Sequence, residues 1–381
     1  MNFIALKMLV GDRLKYIALV AGIAFAALLI TQQASIFTGY ASQIGAWVRD
    51  TSYADLWVMD DQIQFDNDFK PMSDTALTRV RGIDGVKWAV PMFKSYLKCR
   101  LPDGTRVQVR VVGLDDATLV GAPPQIVHGT LEDLRRDRAV IINADQAADT
   151  LRLGHENRPL RVGDRIDIND HEAEVVGTFN SSREFFWDPV IYTTYSRALS
   201  WAPQERRVLM FILVKVADGQ DPSVVADRIR KATGLAARTN AEFEKITTVA
   251  LLQKTGILIN FGITIALGFV IGLLVAGQTF YTFVLDNLRH FATLKAMGTP
   301  NPTILRMLTL QVLVVALIGY GLGLGAASVF GARAAGGRLA FQMSWHIPVA
   351  GAVAVTLCCL FAAALGMVRV LRLEPAIVFK S

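Results

Sequence analysis

The chain alternates between two regimes of polarity. Four stretches hold no Asp, Glu, Lys or Arg, and their charged limits are Lys15 and Arg49, Lys254 and Asp286, Arg306 and Arg333, and Arg338 and Arg369. A helix crosses a bilayer core with about 20 apolar residues. Unpaired charge is excluded from that core. Each stretch is long enough, so the pattern predicts one membrane helix, a large polar insert and three more membrane helices. The expected fold class is membrane α-helical, with four transmembrane helices and a large α+β extracytoplasmic domain inserted between helices 1 and 2.

The expected boundaries follow the same pattern. Residues 1–15 form a short cytoplasmic amphipathic segment, with Ile4, Leu6, Met8, Leu9 and Leu14 at the interface and Lys7, Arg13 and Lys15 at the headgroups. Transmembrane helix 1 spans 16–48, the extracytoplasmic domain 49–241, and a stalk with helix 2 spans 242–285. A short cytoplasmic helix falls in 286–303, helices 3 and 4 in 304–332 and 346–368, and a cytoplasmic tail in 369–381. The stalk is expected because Phe243, Ile246, Val249 and Leu252 keep a helical stripe beyond the apolar run. The first apolar run outlasts a signal-peptide core, so it reads as an uncleaved anchor.

Within the insert, Leu56–Met59 predicts a strand and Ser73 caps a helix over 74–81 that Gly82 ends. Strands follow at 86–91, 94–100 and 106–112, the last two joined by Asp103-Gly104. Farther on come a strand at 211–216, a helix opened by Asp221-Pro222 and stopped by Gly234, and a strand at 235–239. The expectation is an α/β subdomain from 49–119 and 206–241, with a β-rich subdomain, 120–205, set inside it. In the latter, Phe185-Phe186-Trp187 cannot all point inward from one strand, since side chains alternate. It reads either as packing or as a contact with another protein or lipid.

Lys and Arg near the span ends orient the chain. Lys7, Arg13 and Lys15 precede span 1, Arg289, Lys295 and Arg306 lie between spans 2 and 3, and Arg369, Arg372 and Lys380 follow span 4. Only Arg333 and Arg338 occupy the short loop on the other side. Both termini are therefore expected inside and the insert outside, which in a bacterium is the extracytoplasmic side of the inner membrane. The net charge of +6 is spread thinly with no dense basic run, which argues against nucleic-acid binding. Cys99, Cys358 and Cys359 offer no disulfide framework. His128, His155, His171, His290 and His346 lack metal-ligand spacing, and no P-loop occurs, so no catalytic site, metal or cofactor is expected on this chain.

Two motifs remain. Gly319/Gly323, Gly321/Gly325 and Gly268/Gly272 are small-xxx-small pairs, which let helices approach closely in lipid. Between spans 2 and 3, Asp286 or Asn287 can cap a helix whose apolar face is Leu288, Phe291, Leu294 and Met297, and Gly298 and Pro300 end it. That helix lies in the interface or docks into a partner's groove.

This layout resembles the permeases of type VII ABC transporters, the MacB/FtsX/LolC/LolE group. The run Phe291–Gly298 looks like that family's coupling helix, and 160–166 followed by 173–177 looks like its extracytoplasmic strands. Leu373–Ala376 looks like its C-terminal tail, and Ala241–Lys245 with the Ala292–Gly298 run is similar to the DevC branch. The resemblance implies docking of a separate ABC ATPase through Leu288, Arg289, His290, Phe291, Leu294, Lys295, Met297 and Gly298, with ATP and Mg on that partner. It also implies a dimer with a second permease copy, a membrane-fusion adaptor and an outer-membrane tunnel, and export of a lipidic or hydrophobic substrate. Phe185, Phe186 and Trp187 are the candidate adaptor or lipid contact. One position departs: His290 stands where the family places an acidic residue, so a contact through that carboxylate is not implied. The alternatives are an FtsX-like regulator of an extracytoplasmic cell-wall hydrolase and a lipoprotein-releasing permease.

Overall fold

The computed structural model describes residues 2–51, 53–154, 157–334 and 339–371. His155, Arg338, Arg372, Lys380 and the segment Leu373–Ala376 lie outside the described residues. The chain divides into two compact units, residues 41–254 and residues 1–40 with 255–381.

In chain order, the first helices are α1 (Asn2–Gly11), α2 (Arg13–Gln43) and α3 (Ala46–Asp50). Next come β1 (Leu56–Met59), α4 (Thr75–Arg81), β2 (Val86–Arg100), β3 (Arg106–Leu114), β4 (Gln125–His128), β5 (Ala139–Asn143) and α5 (Ala144–Asp149). Two-residue strands β6 (Arg152–Leu153) and β7 (Arg158–Pro159) precede β8 (Arg165–Ile168), β9 (His171–Asn180), β10 (Val190–Thr194) and α6 (Tyr195–Trp201). The insert closes with β11 (Phe211–Val216), α7 (Pro222–Thr233), β12 (Ala236–Thr239) and α8 (Asn240–Lys254). Four helices finish the described chain: α9 (Ile257–Asp286), α10 (Leu288–Ala296), α11 (Asn301–Ala334) and α12 (His346–Leu371).

Helices α2, α9, α11 and α12 are each long and apolar enough to cross a membrane. They pack through one apolar cluster that includes Leu19, Ile23, Phe280, Phe283, Leu308, Val315 and Cys359. The segment expected over 1–15 is divided between two helices: α1 carries Lys7 as its one charge, and Arg13 and Lys15 open α2. Ala5 and Leu9 are buried, Gln311 Nε2 donates to the Ala5 carbonyl at 2.7 Å, and Phe3, Ile4 and Val10 stay exposed.

Two expected continuous helices are interrupted. The span predicted over 16–48 ends at Gln43, and Gly45 (φ +75°) turns the chain into α3. A β-carbon at Gly45 would sit 2.8 Å from Glu244 Cγ, so both backbone and space require glycine there. The stalk and span predicted over 242–285 separate into α8 and α9 at Gly256 (φ +65°). Charge-free length registers neither break, because a left-handed glycine is as apolar as its neighbours. The chain passes between the two units at residues 40–41 and 254–255, and each left-handed glycine lies within a few residues of a passage.

Residues 41–254 form a mixed sheet in the order β12-β1-β11-β2-β3-β10-β5-β9-β4, with β8 bridging β2 and β9. The strands expected at 86–91 and 94–100 are one strand, β2, which changes partners along its length. Met92 and earlier residues pair with β11, while Phe93 and later residues pair with β3. Pro91 is tolerated at the changeover, where the side facing away from β11 has no strand to receive its missing N–H. Strand β3 pairs with both β2 and β10, so residues 93–114, expected in the α/β part, pair directly with a strand of the 120–205 segment. Strands β5 and β10 are buried along their whole length, as strands in parallel pairs tend to be. Helices α4 and α7 cover β1, β11 and β12 through Ala76, Val80, Val225 and Ile229. The local signals held here: Asp221 accepts from Ser223 N at 2.8 Å, and Gly234 (φ +74°) ends α7.

Candidate functional site

The turn from α9 through α10 to α11 is built differently from its sequence pattern. Neither expected cap works at the start of α10. Asp286 is the last residue of α9 and pairs with Lys15, and Asn287 Nδ2 donates back to the Phe283 carbonyl at 2.9 Å. Asn287 therefore closes α9. At the other end Gly298 (φ +88°) and Pro300 stop the helix as expected.

The expected apolar face also splits. Phe291 and Ala292 are fully buried in the same cluster as Phe283, Val284, Ile304 and Leu308. Leu288, Leu294 and Lys295 are half-buried, whereas Arg289, His290, Thr293, Ala296 and Gly298 are exposed and Met297 is 69% exposed. The reason is rotation. At about 100° per residue, a repeat of three slips back by about 60° each time, so Leu288 and Met297 face opposite ways. Phe291 is thus a bolt holding α10 to its own helices and is not available to a partner. Arg289, His290, Thr293 and Met297 form the outward face.

The glycines divide in a similar way. A β-carbon at Gly319 would lie 2.7 Å from Ile23 Cγ2, one at Gly323 would lie 2.6 Å from Ala27 Cβ, and one at Gly272 would lie 2.7 Å from Ala26 Cβ. Gly268 is in ordinary contact with Leu29 and Ile30. All four face α2. Gly321 and Gly325 meet nothing within 4 Å. They sit on an open face of α11 with the exposed Leu317, Leu322 and Val329.

The aromatic triplet lies in an irregular loop over 181–189, with all three residues half-buried. Phe185 and Phe186 stack edge-on at 5.0 Å. Trp187 Nε1 donates to Asp149 Oδ2 at 2.9 Å, and the Arg183 guanidinium lies 5.1 Å from its ring centre.

A family model described as the MacB-like periplasmic core domain matches residues 17–232, more than half of the chain. A second, described as the FtsX-like permease C-terminal region, matches 257–375, starting at the first residue of α9. The chain belongs to the MacB/FtsX-like family of ABC transporter permeases. The permease is similar to the uncharacterized ABC transporter permease Rv0072 of Mycobacterium tuberculosis, at 24% identity over 315 residues, covering 81% of this chain and 79% of the relative. It is 25% identical over 315 residues to the uncharacterized ABC transporter permease Rv2563 of the same organism, with the same coverage. Among solved structures, the extracellular domain of the noncanonic ABC-type transporter YknZ from Gram-positive bacteria matches 49% of this chain and 98% of its own at 14% identity and TM-score 0.35. The periplasmic region of MacB from Actinobacillus actinomycetemcomitans matches 52% of this chain and 94% of its own at 12% identity and TM-score 0.36. The permease is accordingly a non-catalytic subunit and a multi-pass membrane protein with an extracytoplasmic domain. Its family implies a partner ATPase that binds the ATP.

This permease also holds a buried ion cluster that sequence pattern does not announce. Lys94 Nζ donates to Asp66 Oδ2 at 2.7 Å and lies 3.6 Å from the centre of the Trp47 ring. Beside it, Arg110 pairs with Glu184 and donates through Nη2 to the Phe186 carbonyl at 3.1 Å. Lys94 and Arg110 are 0% and 1% exposed. Burial pushes the Lys94 ammonium down to about 8 and the Glu184 carboxyl up. The one available signal was Lys94, Tyr96 and Lys98 alternating on β2, which reads as a solvated face. A second unforeseen feature is a cleft of ≈ 780 Å³ where the chain before β11 peels away from β2, lined by Phe69, Tyr96, Leu97, Arg206, Val208 and Met210.

Proposed function

We propose that this permease carries ATP-driven motion from a separate ATPase, received at α10, to its extracytoplasmic domain, and that it does so as a dimer in an exporter of the DevC type. In this reading the termini and α10 are cytoplasmic, the membrane is a bacterial inner membrane, and an adaptor engages the extracytoplasmic domain near Phe185, Phe186 and Trp187. The cargo is lipidic or hydrophobic. The observation that carries the reading is the build of α10. A short helix is fixed to the bundle by a buried Phe291 while Arg289, His290, Thr293 and Met297 are turned outward. A push on the outward face moves the whole bundle, because the helix cannot slide on its core. The buried polar side chains of residues 1–40 and 255–371 are Thr31, Ser35 and Gln311 among the described residues. Such an interior suits transmission of motion better than passage of a polar solute.

The test is to replace outward residues, Arg289→Glu and Met297→Asp, and to measure ATPase co-purification from membranes. Loss of the ATPase with normal membrane insertion is the expected result. Retention of the ATPase by the double variant would remove α10 as the docking face. Phe291→Ala serves as the contrast, because emptying a buried aromatic site costs about 3–5 kcal/mol and should lower permease stability itself.

A further inference from the structure

We infer that α3 is a catch on the 181–189 loop: while α3 is seated the segment 182–186 stays folded, and displacing α3 frees Phe185 and Phe186. The physiological role of this catch rests on the transmission reading above, but the catch itself is a property of residues 41–254 alone.

Helix α3 directly follows the left-handed Gly45 and holds two parts of its surroundings. Its Asp50 carboxylate accepts from Ser182 N at 2.6 Å and from Ser182 Oγ at 2.9 Å, so it caps the start of the loop. Its Trp47 is 2% exposed, packs on Trp57 and Phe211 with ring centres 5.0 and 6.0 Å away, and covers the Lys94 ammonium. Asp66 and Lys94 therefore stay dry only while Trp47 is in place. The neighbouring pair Arg110–Glu184 ties the middle of the same loop down, and Arg110 also holds the Phe186 carbonyl. Residues 43–46 at the hinge and Leu251 of α8 line a small void together with Glu184, Phe185 and Phe186. Hinge, ion cluster and aromatic pair are thus one contiguous piece.

The far half of the loop has further anchors: Arg110 also donates through Nη2 to the Asp188 carbonyl at 3.4 Å and through its backbone N–H to the Pro189 carbonyl at 2.8 Å. Trp187 is bonded to Asp149, and Gln146 Nε2 donates to the Asp188 carbonyl at 3.0 Å, both from α5. Movement of α3 removes Asp50 from Ser182 and uncovers Lys94. Water then reaches the ion cluster and weakens the Arg110–Glu184 pair, since charges attract far less in a wet site than in a dry one. The near half of the loop then loses its Asp50 contact and keeps a weakened Arg110–Glu184 pair, while 187–189 remain on α5. The released segment presents two adjacent Phe rings, which suit an apolar patch on a protein partner. The catch has two discrete arrangements because a half-displaced α3 would leave buried charge without its cover.

The experiment places a cysteine at the loop by Phe186→Cys in the full permease, in membranes with its ATPase, and measures the rate of maleimide labelling. Native Cys99, Cys358 and Cys359 are buried, so the signal reports the new thiol. Without nucleotide, adding Asp50→Ala or Trp47→Leu should raise the rate at least about fivefold. A separate Val162→Cys protein, probing a site that is already 51% exposed, should label at one rate in all backgrounds. Labelling of Phe186→Cys at an unchanged rate in the Asp50→Ala background, which removes only the half-buried carboxylate that caps Ser182, would overturn the catch. So would equal acceleration at Val162→Cys, which would mean general unfolding. Since this arm uses no nucleotide, failure of ATPase docking at α10 leaves its outcome intact. A rate that changes on trapping ATP in the complex would join the catch to the transport cycle. A rate that does not change there, with the Asp50→Ala effect present, would count against the transmission reading alone.

Discussion

Lys94 shows what one residue can do to this protein. Its ammonium is wholly enclosed, paired with Asp66 and covered by Trp47, yet burial still lowers its pKa from 10.5 to about 8. The unfolded chain keeps the proton up to about 10.5. Between these values the unfolded state binds more protons than the folded one, so this group's contribution to stability rises with pH across the window. At 1.36 kcal/mol per unit, the rise amounts to roughly 3 kcal/mol. Other groups titrate there too, so the readout is a difference. Urea denaturation of wild type and Lys94→Met at several pH values from 7.5 to 10.5 should give curves that diverge, with wild type gaining on the variant. Parallel curves would mean that Lys94 is not dry. Lys94 carries no mark of its burial in the sequence, because Lys-Tyr-Lys alternation is the ordinary pattern of a wet strand face. Only α3 and the two loops carrying Asp66 and Glu184, all distant in sequence, turn that face into an interior.

At the scale of elements, legibility depended on whether the signal was local. The four spans were readable from charge-free length, and α7 from Asp221-Pro222 and Gly234, because each is written within its own segment. The breaks at Gly45 and Gly256 were not, since they are properties of φ and not of polarity. The glycine pairs were half readable: spacing identified close-packing residues but could not say which face has a partner. The structure separates them, and the separation is testable. At Gly323 a β-carbon would crowd Ala27 Cβ and lie 2.9 Å from Leu28 N, and backbone cannot step aside. Gly323→Ala should destabilise the detergent-solubilised permease by about 1–3 kcal/mol, as overpacked sites do. Gly321→Ala, facing open space, should leave the thermal midpoint of the single chain unchanged. If the second permease copy of the proposed dimer uses this face, Gly321→Leu should weaken self-association in a crosslinking assay while sparing the monomer's melt. Equal melting losses at both positions would show that α11 is seated with a different face inward.

The whole molecule is two units joined by two strands of chain, and each passage has a left-handed glycine close to it. Residues 41–254 hold their own cores, one around Trp57, Phe93, Val111, Ile141 and Phe179 and one under α4 and α7. Their size lies within the roughly 50–250 residues of an independent domain. They include α3 and α8, whose Arg49 and Glu244 form an ion pair, so both chain ends are tied inside the unit. The fragment 41–254 is therefore expected to fold without any membrane helix, giving a soluble protein with one cooperative thermal transition. A fragment beginning at residue 54 loses Trp47 and Asp50 together. It should still fold around the remaining sheet, but with Lys94 and Asp66 wetted and residues 182–186 loosened, so that it melts lower and binds more of an apolar dye such as ANS. If the two fragments melt alike and bind dye alike, α3 is only a connector. If 41–254 cannot be obtained folded, the domain is not independent of the rest of the chain, and the two passages at 40–41 and 254–255 are not simple joints.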